Sequence, residues 1–252
     1  MIEKILRTIF TLIVLPGFAL TFVFAFIAYW LVFNLASKEK AIHYAHIVSN
    51  SWAHLAYIFI LIRVKIEGKK NIDRKKVYVF VSNHRSLVDV PAWAMSTRNT
   101  VKFLSKEELV KMPVFGYVLK RLYLTVNRKD KNDRARSIQR MRTALEDGIS
   151  IFLAPEGTRN KNPEVILQPF HDSAFRLAIE AQVPVAVLTL FNTDDLLSPK
   201  TLFGLRPGTI YGQWSKPVET TGLTDKDIPT LRDKVWQMMH DNYLELKSKY
   251  GK

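Results

Sequence analysis

The 252-residue sequence contains no cysteine. That absence excludes disulfide bonds, metal sites built from thiolates and a cysteine nucleophile, and it is compatible with a reducing cytoplasm. The chain also lacks a G-x-S-x-G sequence, which argues against a serine hydrolase with a nucleophile elbow. Internal repeats and low-complexity tracts are missing as well.

Acidic residues are scarce relative to basic ones, because 23 Asp and Glu stand against 37 Lys and Arg, a formal net charge of +14 at pH 7. Residues 1–60 hold four basic and two acidic side chains, so most of the excess falls on the rest of the chain. Such a surface attracts polyanions, whether nucleic acid, anionic lipid headgroups or an acidic carrier protein. No nucleic-acid-binding signature accompanies the charge, so we expect no nucleic-acid partner.

Charged residues are absent from residues 8–33, a run of 26 positions that is long enough to cross a bilayer core of about 30 Å. Pro16-Gly17 interrupts the run, which predicts either a kinked span or a short helix followed by a second helix over 18–33. A further apolar segment, 41–62, contains several polar residues, which predicts an interfacial helix or the second helix of a hairpin. We therefore predict a membrane-associated helical anchor over residues 1–62. Positive charges flank the first run on both sides, so its topology is left open.

Strands and helices alternate after Arg63, which predicts an α/β domain over residues 63–252. The predicted strands are 64–67, 77–81, 101–104, 122–126, 149–153, 185–190 and 210–214. The predicted helices are 87–96, 107–121, 130–147, 173–181 and 229–249. We expect a mixed, mostly parallel sheet flanked by helices. Sheets of this kind bind ligands at the loops that follow the carboxyl ends of the strands.

A histidine and a carboxylate follow the apolar strand 77–81. Ser86 and Asp89 have the spacing of a capping box, so a helix is predicted to begin at Ser86 with Asp89 in its first turn. His84 would lie just outside that helix and could fold back towards Asp89. Such a pair fixes the imidazole tautomer and leaves one ring nitrogen free to take a proton from a hydroxyl. A solvated loop or a simple cap is the structural alternative.

Four ordered segments resemble the motifs of the glycerolipid acyltransferases, the family of 1-acyl-glycerol-3-phosphate acyltransferases. The first is NHRSLVD, which has the NH-x4-D form, and the third is APEGTR at 154–159. The second spans 106–128 and the fourth opens with Val-Pro-Val at 183–185. The second segment is matched at Lys106, Pro113, Phe115, Gly116 and Arg128. The resemblance covers roughly 77–190, and one departure is the sequence Phe-His-Asp-Ser at 170–173, where the family usually has a lysine-glycine pair.

The resemblance implies roles for the motif residues. His84 and Asp89 would be the catalytic pair, and backbone amides near Ser86 could stabilise an oxyanion. Arg159 presents a planar fork that suits a phosphate, and Gly157 allows a tight turn. The implied substrate-binding residues are Glu156, Gly157, Thr158, Arg159, Lys106 and Arg128. Glu156 is expected to orient Arg159 or a substrate hydroxyl, with a structural Glu-Arg salt bridge as the alternative, and Lys106 and Arg128 are alternatively solvated charges.

The implied function is transfer of a fatty acyl group from an acyl thioester, acyl-CoA or acyl carrier protein, to the free hydroxyl of a lysophospholipid, with lysophosphatidic acid as the favoured acceptor. No cofactor and no metal are expected. Two alternatives are left open: the same chemistry on another lysophospholipid or on glycerol 3-phosphate, and a non-catalytic, membrane-tethered basic binding module. The resemblance also implies a two-helix monotopic anchor and a catalytic domain on the cytoplasmic face of the membrane.

Three secondary features have two interpretations each. His43 and His46 lie one helical turn apart, but without a third ligand they are better explained as polar spots on an interfacial helix than as a metal site. Gly116 in an apolar helical stretch costs about 1 kcal/mol against alanine, which indicates close approach by an acyl chain or by tight packing. The basic side chains of the helix after Arg128 form either a solvated face or a contact for anionic headgroups. They are Lys129, Lys131, Arg134, Arg136, Arg140 and Arg142.

Overall fold

The computed structural model describes residues 1–127 and 130–251. Within that part of the chain, seven strands are formed: β1 (Ile62–Glu67), β2 (Val79–Ser82), β3 (Val101–Lys106), β4 (Leu124–Val126), β5 (Ser150–Leu153), β6 (Val185–Phe191) and β7 (Gly208–Trp214). Each coincides with a predicted strand, with ends shifted by at most two residues. The predictions were accurate because β-branched and aromatic runs that are buried on both faces are distinctive in sequence.

The seven strands form one sheet in the order β1-β7-β6-β2-β5-β3-β4. Every neighbouring pair is parallel except β6 and β7, which are antiparallel. The predicted mixed, mostly parallel sheet is therefore confirmed. Strands β2 to β6 all end at one edge, which we call the C-terminal edge. Strands β1 and β7 run the other way and end at the opposite edge, which we call the N-terminal edge.

Eight α-helices accompany the sheet in the described residues: α1 (Ile2–Leu35), α2 (Lys38–Phe59), α3 (Asp89–Ser96), α4 (Phe115–Leu122), α5 (Lys131–Glu146), α6 (Ser173–Glu180), α7 (Thr193–Leu196) and α8 (Ile228–Tyr250). One apolar core, with Phe175 and Met239 at its centre, packs α5, α6 and α8 on one face of the sheet. The core on the other face includes Phe80, Trp93 and Trp214 and is continued by residues of α1 and α2. Both faces of the central strands are therefore covered.

Two helix predictions are corrected. The helix predicted from Ser86 begins three residues later, at Asp89. The helix predicted over 107–121 is interrupted: a 3₁₀ helix covers Glu107–Lys111 and α4 begins only at Phe115. Pro113 lacks the N–H that a continuous helix needs, and Val114 after it has a positive φ of 63°. The short helix α7 was not predicted, because four residues carry no periodic signal.

The N-terminal helices form an antiparallel hairpin. Helix α1 is continuous through Pro16, so the alternative of two separate helices is wrong. Trp52 of α2 donates a hydrogen bond from Nε1 to the Thr21 hydroxyl (3.2 Å), and the ring of Phe59 lies over Gly17, where a Cβ atom would come within 2.7 Å of it. Within the described residues, α1 alone is long and apolar enough to cross a membrane.

The hairpin is fastened to the α/β part along its length. Near the start of α1, Arg7 donates a hydrogen bond to the carbonyl oxygen of Asp195 (2.7 Å), and near its end Asn34 donates one to the hydroxyl of Tyr117 (3.1 Å). From α2, Asn50 donates to the carbonyl oxygen of Ala94 (2.8 Å). Strand β1 starts at Ile62, directly after the hairpin.

Gly116 is explained by tight packing against the backbone. A Cβ atom at this position would lie 2.0 Å from the carbonyl oxygen of Val110, in the 3₁₀ helix before α4. We therefore expect Gly116→Ala to lower the free energy of unfolding by about 1–3 kcal/mol, the usual cost of overpacking. Urea unfolding of the variant would measure the loss. Lys120→Ala, on the exposed side of α4, is the matched control, and equal stability of the two variants would contradict this account.

Candidate active site

His84 lies in the loop that follows β2 at the C-terminal edge of the sheet. Its Nδ1 atom is 2.8 Å from Oδ2 of Asp89, as the sequence predicted. A carboxylate only accepts hydrogen bonds, so Nδ1 carries the proton and Nε2 is left with its lone pair. Asp89 is completely buried, whereas the His84 side chain is 17% exposed, and its ring lies 4.9 Å from that of Trp93 between centroids. The imidazole is thus held from one side and open on the other.

Asp89 is held by the backbone that precedes it. Its Oδ2 atom also accepts hydrogen bonds from the N–H groups of Arg85 and Ser86, each at 2.7 Å. This is half of the expected capping box, because the Asp89 N–H donates to the carbonyl oxygen of Ser86 (3.4 Å) and not to its hydroxyl. The Ser86 hydroxyl accepts from the Val88 N–H (3.4 Å) and donates to the carbonyl oxygen of Leu197 (2.6 Å). The amides of Arg85 and Ser86 are therefore engaged by Asp89 and do not face an oxyanion. An oxyanion site at the other amides near Ser86 stays a prediction.

The APEGTR loop fixes the backbone of His84 from both sides. Glu156 accepts a hydrogen bond from the His84 N–H through Oε1 (2.9 Å), and the N–H of Asn160 donates to the His84 carbonyl oxygen (2.7 Å). These contacts join the loop after β2 to the loop after β5, which are neighbouring strands. The first and third sequence motifs therefore form one structural unit.

Glu156 has a different role from the one predicted. Its second oxygen, Oε2, accepts from the N–H of Gln168 (2.9 Å), so both oxygens bind the backbone, and no ion pair joins Glu156 to Arg159 among the described residues. Burial raises the pKa of the Glu156 carboxyl, and the hydrogen bonds from Gln168 and His84 oppose that rise. Glu156 is a positioning residue for the His84 loop.

Replacing Glu156 with glutamine should destabilise this loop. A glutamine oxygen can accept one of the two hydrogen bonds, but its NH2 group would face the other backbone donor. We expect the free energy of unfolding to fall by about 1–3 kcal/mol at neutral pH, together with a lower kcat because His84 is displaced. Urea unfolding and initial rates would measure both effects. Glu164→Gln, an exposed carboxylate in the same loop region, should change neither.

The raised pKa of Glu156 also predicts how the difference in the free energy of unfolding between wild type and Glu156→Gln varies with pH. Because the folded-state pKa lies above the ordinary value of 4.5, the folded protein binds more protons than the unfolded chain between those two values. The stability of wild type relative to Glu156→Gln should therefore decrease as the pH rises from about 4.5 to the folded-state pKa, and be constant above it. A difference that increases over this interval would show that the pKa is lowered.

Arg159 and its neighbours present the accessible part of the third motif. Gly157 has a φ of +69°, and a Cβ atom there would come within 2.8 Å of the His171 ring, so this turn requires glycine. Thr158 is exposed and Arg159 is half-buried. No ion pair or hydrogen bond engages the Arg159 guanidinium among the described residues. The predicted Glu-Arg salt bridge is absent there, and the fork is available to an anion.

The second motif contributes Lys106, which ends β3 with an exposed side chain. In the sheet, β5 lies between β2 and β3, so Arg159 follows the strand between those of His84 and Lys106. At a strand spacing of about 4.8 Å, the ends of these three strands lie within roughly 10 Å of one another along the edge. Arg128 follows β4 in the chain and lies outside the described residues.

Two residues of the first motif that the sequence analysis did not single out build the scaffold of the loop. Asn83 exchanges two hydrogen bonds of 2.8 Å with the backbone of Leu190 and so extends the pairing of β2 with β6. Arg85 is buried; it forms an ion pair with Asp194 (2.8 Å) and donates to two carbonyl oxygens of the loop near Ile166. An arginine and an asparagine beside the predicted histidine could have indicated a buried polar scaffold. Their partners could not be predicted, because these lie about 80 or more residues away in the chain.

Contacts bear on two of the secondary interpretations. His43 is hydrogen-bonded to Thr100 (3.0 Å) and His46 to the carbonyl oxygen of Thr97 (3.4 Å), so each has a structural partner. In α5, Arg136 and Arg140 pair with Asp133 of the same helix, which favours a solvated face with internal ion pairs. The side chains of Lys131 and Arg134, and Lys129 as a whole, lie outside the described residues.

The fold and the site together define an α/β enzyme with a histidine–aspartate pair at the C-terminal edge of its sheet. The family model for acyltransferases matches residues 63–190, which is half of the chain. The chain belongs to this acyltransferase family. It is therefore an enzyme, an O-acyltransferase, as the sequence predicted, and the alternative of a non-catalytic binding module is set aside.

Known proteins resemble the chain over most of its length. The crystal structure of the 1-acyl-sn-glycerophosphate (LPA) acyltransferase PlsC from Thermotoga maritima has the same fold, with a TM-score of 0.81, 24% identity, and coverage of 100% of this chain and 99% of that one. The 1-acyl-sn-glycerol-3-phosphate acyltransferase alpha of Mus musculus is 29% identical over 77% of this chain and 68% of its own. The 1-acyl-sn-glycerol-3-phosphate acyltransferase of Saccharomyces cerevisiae is 27% identical over 79% of this chain and 66% of its own.

Proposed function

We propose that this protein transfers a fatty acyl group from an acyl thioester to the free hydroxyl of lysophosphatidic acid and so produces phosphatidic acid. The observation that carries the proposal is the hydrogen bond between His84 and the buried Asp89, which leaves Nε2 of His84 open at the C-terminal edge. The mouse and yeast relatives, both 1-acyl-sn-glycerol-3-phosphate acyltransferases, support the choice of acceptor.

His84 acts as a general base in this mechanism. Its Nε2 atom accepts the proton of the acceptor hydroxyl while the hydroxyl oxygen attacks the carbonyl carbon of the thioester. The C–S bond then breaks, and the thiolate of the carrier leaves and takes up the proton from His84. Asp89 keeps the productive tautomer and stabilises the imidazolium that forms in between. The reaction needs no covalent acyl-enzyme and no cofactor. The acyl donor is a thioester, either acyl-CoA or acylated acyl carrier protein.

Arg159 binds the phosphate of the acceptor. A guanidinium forms two parallel hydrogen bonds to a phosphate, which fixes the orientation of the bound lipid as well as its position. Lys106 adds a second positive charge from β3, and Arg128 is proposed as a third. Holding the phosphate keeps the hydroxyl at attacking distance from the thioester, so that binding energy is converted into rate.

The acceptor reaches the site from the membrane. Large apolar side chains are exposed along α1 and also around the C-terminal edge, where Met112 is 49%, Val114 47%, Leu202 62% and Phe203 50% exposed. The hydroxyl of Thr8 in α1 donates to the carbonyl oxygen of Phe203 (3.1 Å), which joins the two apolar surfaces. Since α1 is fastened at both ends to the α/β part, we propose that it lies in the membrane surface and holds the catalytic domain on the cytoplasmic face.

An acceptor panel tests the proposal against the same chemistry on other acceptors. Purified protein in detergent would be given one labelled acyl thioester with lysophosphatidic acid, lysophosphatidylcholine or glycerol 3-phosphate. We expect the highest kcat/KM for lysophosphatidic acid, because it offers both an accessible phosphate for Arg159 and an acyl chain for the exposed apolar side chains at the C-terminal edge. A higher kcat/KM for either of the other two would replace the proposed acceptor.

A further inference from the structure

A cavity opens at the N-terminal edge of the sheet, at the opposite edge from His84. It has a volume of about 590 Å³, within the range of about 300–1,000 Å³ that is typical of ligand sites. Lys69 and Lys70 in the turn after β1, Arg74 before β2, and Arg98 between α3 and β3 border it. We call it the basic cavity.

The basic cavity has the electrostatics of an anion site. Its lining contains no Asp or Glu, and none of its four cations has an ion-pair partner among the residues that the structure describes. All four basic residues are exposed. The nearest carboxylate along the chain, Asp73, is occupied by the backbone N–H of Lys75 (2.9 Å). Four unpaired cations around one concavity favour a phosphate group, and no carboxylate is present in the lining to hold the ammonium of a zwitterionic headgroup.

An apolar groove adjoins the basic cavity across α2. This groove lies between α1 and α2, has a volume of about 240 Å³, and is lined by side chains such as Phe24, Val48 and Trp52. Ile47 and Ser51 border both the groove and the cavity, so the two are neighbours on α2. Phe24 is 59% and Ile47 49% exposed. A free phosphate ion would leave this groove unexplained.

We propose that the basic cavity and the apolar groove together bind an anionic phospholipid, with the headgroup phosphate among Lys69, Arg74 and Arg98 and an acyl chain between α1 and α2. A phospholipid carries a phosphate and apolar chains on one glycerol backbone, and the neighbouring basic cavity and apolar groove match that arrangement. The groove belongs to the helical hairpin, which carries the apolar surface described above. The site is separate from the reaction, because it lies at the sheet edge opposite His84.

Photo-crosslinking tests this assignment with full-length protein in phosphatidylcholine vesicles. The probe is phosphatidylglycerol that carries a diazirine in one acyl chain, an anionic lipid that is not the reaction product. We expect mass spectrometry to locate the crosslinks within residues 21–28 and 47–55. Phosphatidylcholine with the same diazirine chain should label these segments about tenfold less, since it is zwitterionic. Equal labelling by both probes would reduce the groove to bulk lipid contact and overturn the proposal.

Charge variants supply the second arm. Lys69→Gln/Arg74→Gln/Arg98→Gln should reduce the phosphatidylglycerol crosslink by about tenfold, because each removed charge weakens the attraction to an anionic lipid. The matched control, Lys216→Gln/Lys226→Gln/Lys234→Gln, removes three exposed charges elsewhere and should label as wild type does. His84→Ala should also label normally. Undiminished labelling of the cavity variant, or binding of inorganic phosphate by the cavity without lipid labelling, would contradict the assignment.

Discussion

Replacing His84 with alanine is expected to lower kcat for acyl transfer by a factor of about 10² to 10⁴, the usual contribution of a general base. The KM for the acyl thioester should change little, because His84 acts on the acceptor hydroxyl. The variant should fold normally, since the backbone N–H and carbonyl of His84, which bind Glu156 and Asn160, are retained. Initial rates at saturating substrates and a circular dichroism spectrum would check both expectations.

A matched control for this result is His43→Ala, which removes an exposed imidazole of α2 that contacts Thr100. It should leave kcat near the wild-type value. The asparagine variant of Asp89 would extend the test, because it removes the negative charge that stabilises the imidazolium, and its kcat should also fall. If His84→Ala retained wild-type kcat in a folded protein, the general-base mechanism would have to be abandoned.

Replacing Arg159 with alanine is expected to raise the KM for lysophosphatidic acid by roughly 10- to 150-fold, the equivalent of a charge-assisted hydrogen bond of about 1.5–3 kcal/mol. The KM for the acyl donor should stay within a small factor of wild type. Arg159→Lys keeps the charge without the bidentate fork, so it should be intermediate. Varying each substrate in turn at a saturating concentration of the other would separate the two constants.

The control for Arg159 is Arg176→Ala, which removes an arginine of α6 that faces Asp225. It should leave both KM values unchanged. Equal increases in the KM for acceptor and donor in Arg159→Ala would mean that Arg159 shapes the site as a whole and does not bind the acceptor phosphate.

The fold could be predicted from the sequence because its signals are local. Strands such as β6 are continuous apolar runs that are buried on both faces, and the charge-free run that forms α1 is unmistakable. The break before α4 was missed, although Pro113 stands in the middle of the predicted helix. The exact start of α3 could not be predicted, because the Ser86 hydroxyl binds Leu197, a partner 111 residues away.

In the candidate site, too, local relations could be predicted and contacts with distant residues could not. The contact between His84 and Asp89 follows from a spacing of five residues around a helix start, which is a local relation. The role of Glu156 depends on the distant amides of His84 and Gln168, and its motif alone suggested a substrate contact instead. Sequence motifs thus identified the contact between His84 and Asp89, but the backbone contacts of Glu156 became visible only in the folded structure.

The most direct test of the proposed function is the formation of phosphatidic acid by the purified full-length protein. A labelled long-chain acyl thioester and lysophosphatidic acid would be incubated with wild type and with His84→Ala in the same detergent, and the lipid products separated. We predict labelled phosphatidic acid with wild type and almost none with the variant. Folded wild-type protein that forms no phosphatidic acid with either acyl-CoA or acyl carrier protein as donor would contradict the proposed function.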